Sequence, residues 1–77
     1  MKITVEFVGA IDSGPYERMH EFEIDSGASA GAFLAGLHFH SRQVEFIQVV
    51  RDGKRLNHSA ELQDGDNIQL MIPVGGG

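Results

Sequence analysis

The chain contains no cysteine. That excludes disulfides, thiolate metal ligands and cysteine nucleophiles in one step, and leaves the redox compartment open. Basic residues are scarce as well: six Lys and Arg against eleven Asp and Glu give a net charge of −5. A sequence-independent grip on phosphate backbones needs clustered lysine and arginine, so nucleic acid is not an expected partner. No apolar run approaches membrane-spanning length, and no basic segment leads into an apolar one at the amino terminus. Neither a membrane nor a secretory route is expected, and a soluble cytoplasmic domain is the default. With 77 residues there is room for one domain and one core. The hydrophobic share of 42% is ordinary for a globular protein and too high for a disordered chain.

What is present alternates. Ile3, Val5 and Phe7 share one face of a strand over Lys2–Val8, with Lys2, Thr4 and Glu6 on the other. Gly9 to Glu17 carries loop punctuation at Gly9, Ser13, Gly14 and Pro15, and part of it is expected to project from the body. A second, antiparallel strand is predicted over Arg18–Ile24, with His20, Phe22 and Ile24 inward and Met19, Glu21 and Glu23 outward. Ser29 is a helix N-cap candidate, followed by Ala30, Phe33, Leu34 and Leu37 at amphipathic helical spacing. Gly31 and Gly36 weaken that helix, so packing of the Phe33 and Leu34 face must hold it. His38 to Gln43 reads as its exit loop. Phe46–Arg51 reads as a strand, Asp52-Gly53 as a two-residue hairpin turn and Lys54–Leu56 as its return arm. In the connector that follows, Leu62 is expected to plug the core, and Asp64-Gly65-Asp66 turns the chain into the last strand. There Ile68, Leu70 and Ile72 share a face, and Pro73 stops the strand.

The chain has no repeat and no linker. It divides into a domain over residues 1–73 and a glycine tail over residues 74–77, read as flexible. Three successive glycines cannot pack a core. Candidate metal and acid–base sites fare poorly. His38 and His40 read as solvated loop histidines and His20 as core-lining, for no carboxylates stand at ligand spacing. Asp64 and Asp66 form a turn, since no calcium loop follows them. Glu21, Glu23 and Asp25 read as a solvated strand edge. Glu6, Glu21 and Glu45 show no sign of a catalytic dyad. No catalytic residue, metal or cofactor is expected.

A β-β-α-β-β order of this length, the Leu62-Gln63-Asp64-Gly65-Asp66 turn, the Ile72-Pro73-Val74 step and the terminal Gly75-Gly76-Gly77 resemble the ThiS/MoaD-type sulfur carriers. These are ubiquitin-like β-grasp proteins of molybdopterin and thiamine thiazole synthesis. The resemblance covers essentially the whole chain and implies an α+β β-grasp fold, a mixed sheet with one packed helix. It implies a non-enzymatic carrier whose Gly77 carboxylate is adenylated by a ubiquitin-activating-enzyme-like partner and converted to a thiocarboxylate. Gly75 and Gly76 would thread the enzyme's channel, while Met71, Pro73 and Val74 would dock on partners. Those partners would be the adenylating enzyme, a sulfur donor protein and a sulfur-accepting synthase subunit. Two other readings share the fold. A ubiquitin-like modifier would form isopeptide bonds through Gly77, although Val74-Gly75 stands where ubiquitin has an arginine before its glycines. A regulatory or RNA-binding module is disfavoured by the net charge of −5.

Overall fold

The alternation in the first strand decides where the core lies. In the computed structural model, which describes residues 1–73, Ile3, Val5 and Phe7 are all buried on one face of β1 (Lys2–Phe7). β2 (Met19–Glu23) runs antiparallel beside it. The chain then forms α1 (Ala30–Ala35), α2 (Ser41–Phe46), β3 (Gln48–Arg51), β4 (Lys54–Leu56) and β5 (Asn67–Met71). The five-stranded sheet has the order β2-β1-β5-β3-β4. β5 lies parallel to β1 and antiparallel to β3, so the last strand fills the centre of the sheet. This is the expected mixed-sheet β-grasp. Its core gathers the inward residues of β1, β3 and β5 with Phe33 and Leu34 of α1 and Leu62 of the connector.

Each turn expected from the sequence is explained by its backbone. Asp52 and Gly53 both have positive φ, 54° and 76°, as a two-residue hairpin turn of the primed type requires. Ser29 caps α1, its hydroxyl accepting the Ala32 N–H at 3.1 Å. Asp66 closes the turn into β5: its carboxylate accepts the Gln63 N–H and the Arg51 guanidinium, both at 2.8 Å. Asp64 ties the same turn to β1 by accepting the Lys2 N–H at 2.8 Å.

Gly31 has a tertiary reason. Its N–H donates to the His58 carbonyl at 2.8 Å, and a Cβ there would lie 3.1 Å from that oxygen. The connector therefore packs against the first turn of α1 at a distance that a side chain would disturb. Gly31→Ala improves helix propensity by up to about 1 kcal/mol, but it crowds backbone that has no free rotamer to yield. The expected outcome is a net loss of stability on urea denaturation. A gain would show that the connector shifts freely.

Four expectations change. The segment read as an exit loop ends in α2, whose half-buried Val44 sits between buried Phe39 and Ile47. Phe46, read as the first residue of a strand, is instead the last of α2 and is 65% exposed. Ile72 is exposed rather than inward, because pairing with β3 stops at Gln48 opposite Met71. The loop before β2 is pinned at buried Ile11 and by the Arg18 guanidinium, which donates to the carbonyls of Gly9 and Ile11, while Gly9, Ala10, Asp12, Gly14, Pro15 and Glu17 stay exposed. His38 belongs to this packing too. It is half-buried against Phe39 and Tyr16, with Nε2 2.7 Å from the Asp12 carbonyl, and is not a solvated loop histidine. His20 does line the core edge, tilted on Tyr16 and edge-on to Phe22.

Candidate functional site

The helices cover one face of the sheet and leave the other open. Residues paired across strands share a face. One row therefore crosses all five strands on the open side: Met19, Glu6, Gln69, Val50 and Arg55. Its acidic member, Glu6, lies on β1 and its basic end, Arg55, on β4, and the Gln69 side-chain amide donates to Glu6 at 3.3 Å. The next row toward the end of β5 pairs Met71 with Gln48. Met71 is therefore half-buried on the open face, in the centre of the sheet, where a partner could reach it.

Just past β5, Pro73 lines a hollow of about 450 Å³ with Phe46, Gln48, Arg55, Leu56 and His58. Phe46 and Ile72 are two of the three large apolar side chains most exposed among the described residues, and Met19 is the third. Exposed apolar groups gathered beside a strand end mark an interaction surface more readily than scattered ones do. A base in Arg55 sits beside them. The geometry thus joins two of the expected docking residues, Met71 and Pro73, at one end of the sheet. It adds Phe46, which the sequence reading placed inside a strand. Its signal was available in retrospect: an aromatic residue that ends a polar segment, with no alternation behind it. Val74 and the tail residues Gly75, Gly76 and Gly77 lie outside the described residues.

No group of three or more His, Asp or Glu side chains gathers at metal-holding distance among the described residues. His58 has a structural task, its Nε2 lying 2.7 Å from the Ile47 carbonyl. No helix among the described residues is long and apolar enough to cross a membrane.

The fold has known counterparts. Small archaeal modifier protein 1 from Haloferax volcanii superposes with a TM-score of 0.74 at 20% identity over all of both chains. A second structure of that protein gives 0.74 at 19% identity, covering 95% of this chain and 98% of the other. A ubiquitin from Caldiarchaeum subterraneum gives 0.63 at 21% identity over 100% and 98% of the two chains. At these identities the likeness establishes the ubiquitin-like fold. No curated protein sequence matches the chain. The ThiS family does, over residues 13–77, a span that takes in the second half of the loop before β2, both helices, the last four strands and the glycine tail. The chain is a member of the ThiS family.

Proposed function

We propose that the protein is a sulfur carrier, activated at the carboxyl group of Gly77 and handing on its sulfur for cofactor synthesis. The observation that carries this reading is the family match, which runs through Pro73, Val74 and the three glycines. Family membership makes the protein a ubiquitin-like sulfur carrier or modifier, working with an activating enzyme of the ubiquitin-activating kind. The carrier branch of that choice is the proposal. So is its use in making molybdopterin, tungstopterin or the thiamine thiazole.

The steps follow from carboxylate chemistry. A carboxylate is a poor acyl donor, because hydroxide or oxide would have to leave. Attack of a Gly77 oxygen on the α-phosphorus of ATP expels pyrophosphate and leaves an acyl-adenylate. Sulfur delivered at the sulfide level then attacks the carbonyl carbon and AMP departs, leaving a thiocarboxylate. The enzyme supplies the electrostatics around the nucleotide, and this chain supplies a positioned carboxylate. Gly75 and Gly76 thread the tail, since the absence of Cβ lets backbone approach the channel walls closely. Met71, Pro73 and Val74 dock on the partner, and Phe46 joins them.

The test incubates the chain with its organism's adenylating enzyme, ATP and a sulfur donor, followed by intact mass measurement. A single sulfur-for-oxygen replacement is expected. Appearance of lysine-linked conjugates with no thiocarboxylate would instead select the modifier. Docking has its own readout. Phe46→Ser removes an exposed aromatic anchor that the core does not use, so the melting curve should hold. The KM for the carrier in ATP–pyrophosphate exchange should rise on the order of tenfold with kcat unchanged, as loss of one interface anchor predicts. An unaltered KM would remove Phe46 from the docking surface.

A further inference from the structure

Among the described residues, β2 is an edge strand whose outer side has no partner strand. Met1 and Ile24 exchange both backbone hydrogen bonds, N to O at 2.8 Å in each direction, and the Phe7 N–H donates to the Arg18 carbonyl. Backbone groups alternate sides along a strand, so Arg18, His20, Phe22 and Ile24 face β1. The N–H and C=O groups of Met19, Glu21 and Glu23 therefore point away from the sheet. Among the described residues nothing bonds to them.

Beside this edge, on the helix side, runs a groove of about 420 Å³ between β2 and α1. Phe22 and Ile24 form one wall, Phe33 and Leu37 the other, and Tyr16 closes one end. Around it acidic side chains predominate. Glu17, Glu21, Glu23 and Asp25 are all exposed. The nearby cations are occupied or set back: Arg18 is spent on loop carbonyls, and Lys2 lies opposite Glu23 on β1.

We infer that this edge and groove take an extended, lysine- or arginine-bearing segment of a partner protein as a sixth strand. Backbone pairing with Met19, Glu21 and Glu23 would give the affinity. Alternate apolar side chains would enter the groove, and the basic residues between them would face Glu21 and Glu23. A second copy of the chain is the wrong occupant. Antiparallel pairing of two β2 edges about Glu21 sets that glutamate against itself, and like charges directly opposite are destabilising. This surface is separate from the end of β5, so the inference stands whether or not Gly77 carries sulfur.

The probe is a synthetic peptide, acetyl-Lys-Val-Lys-Ile-Lys-Val-Lys-amide, titrated into the isotope-labelled full chain by NMR. Shifts and slowed hydrogen exchange are expected at the amides of Met19, Glu21 and Glu23, with shifts at Gly36 and Leu37 across the groove. The counterpart with glutamate for lysine should bind on the order of tenfold more weakly or worse. Backbone pairing is isolated by comparing Glu21→Gln with Glu21→Pro. Both lose the charge, and only the proline loses the outward N–H at an edge position that tolerates it. The proline variant should bind severalfold more weakly than the glutamine variant. If it fails to fold, the Glu21→Lys, Glu23→Lys pair decides, by reversing the preference toward the acidic peptide. The inference fails if no amide moves, if the two peptides bind alike, or if the shifts centre on Glu6 and Gln69. It fails equally if the edge amides move with protein concentration alone, which would assign the edge to a second copy.

Discussion

Adding a single residue after Gly77 is expected to abolish activation while the domain melts as the wild type does. The reason is geometric. One extended residue carries the terminal carboxylate about 3.3 Å further along the channel. In-line attack needs the reacting atoms about 3–3.5 Å apart, so a misplacement of that size removes the near-attack geometry altogether. Deleting Gly77 should fail in the opposite sense, by leaving the carboxylate short. Gly76→Val should fail on width, because a β-branched side chain must share a channel shaped for bare backbone. Among the described residues the core runs from Ile3 to Leu70, and the three changes lie beyond it in sequence. ATP–pyrophosphate exchange measures the activation, intact mass measures the thiocarboxylate, and thermal unfolding checks the domain. An extended variant activated as well as wild type would mean that the Gly77 carboxylate is not the reacting group, and the carrier proposal would fall with it. The β2 edge would be unaffected by that result, since its binding reads out on different amides.

The fold was legible where the chain uses period-two alternation or local turn chemistry. Ile3, Val5 and Phe7 announce β1, Asp52-Gly53 announces the hairpin, and Asp64-Gly65-Asp66 announces the entry to β5. What escaped was structure set by tertiary contact alone. α2 has no apolar stripe and buries none of its residues fully, Val44 alone packing partly against the core. It exists because buried Phe39 and Ile47 fix its two ends, with the Gln43 side chain reaching back to the His40 N–H at 2.9 Å. That reach is half of a capping box, and the other half normally rests on Ser or Thr, so the pattern was hard to see. Ile11 escaped for a similar reason. A lone apolar residue among glycines has no periodicity, and that loop is held inward by tertiary bonds, the Arg18 guanidinium on two carbonyls and His38 Nε2 at the Asp12 carbonyl. The docking end of β5 was half legible. Met71 and Pro73 follow from the strand and its stop, whereas Phe46 joins Pro73 only because α2 ends at the hollow that Pro73 lines.

The same dependence on tertiary packing sets the largest expected loss of stability. α1 has six residues and contains Gly31, too short and too weak to stand as an isolated helix. Its side chains on the sheet hold it there. Leu34 is fully buried, and Phe33, 8% exposed, meets Phe22 edge-on with ring centroids 5.2 Å apart. Sequence alone assigns the anchoring to Phe33 and Leu34 together. The structure shifts the emphasis. Phe33 lines the open groove beside β2, so its removal widens a space that water already reaches. Leu34 has no such outlet, and its truncation leaves a closed cavity among β-strand side chains. Leu→Ala and Phe→Ala changes in cores cost about 2–5 and 3–5 kcal/mol respectively, and the spread follows how far the site can collapse or fill. Leu34→Ala should therefore fall near the top of its range, about 4–5 kcal/mol, and Phe33→Ala near the bottom of its own, about 3 kcal/mol. A domain of this size has a total stability of roughly 4–12 kcal/mol, so either change removes about a quarter or more of it at the upper end of that range and most or all of it at the lower end. Urea denaturation of both variants gives the comparison directly. Should Phe33→Ala prove the more damaging, the groove beside β2 is closed in solution, and water does not fill the space that the ring vacates.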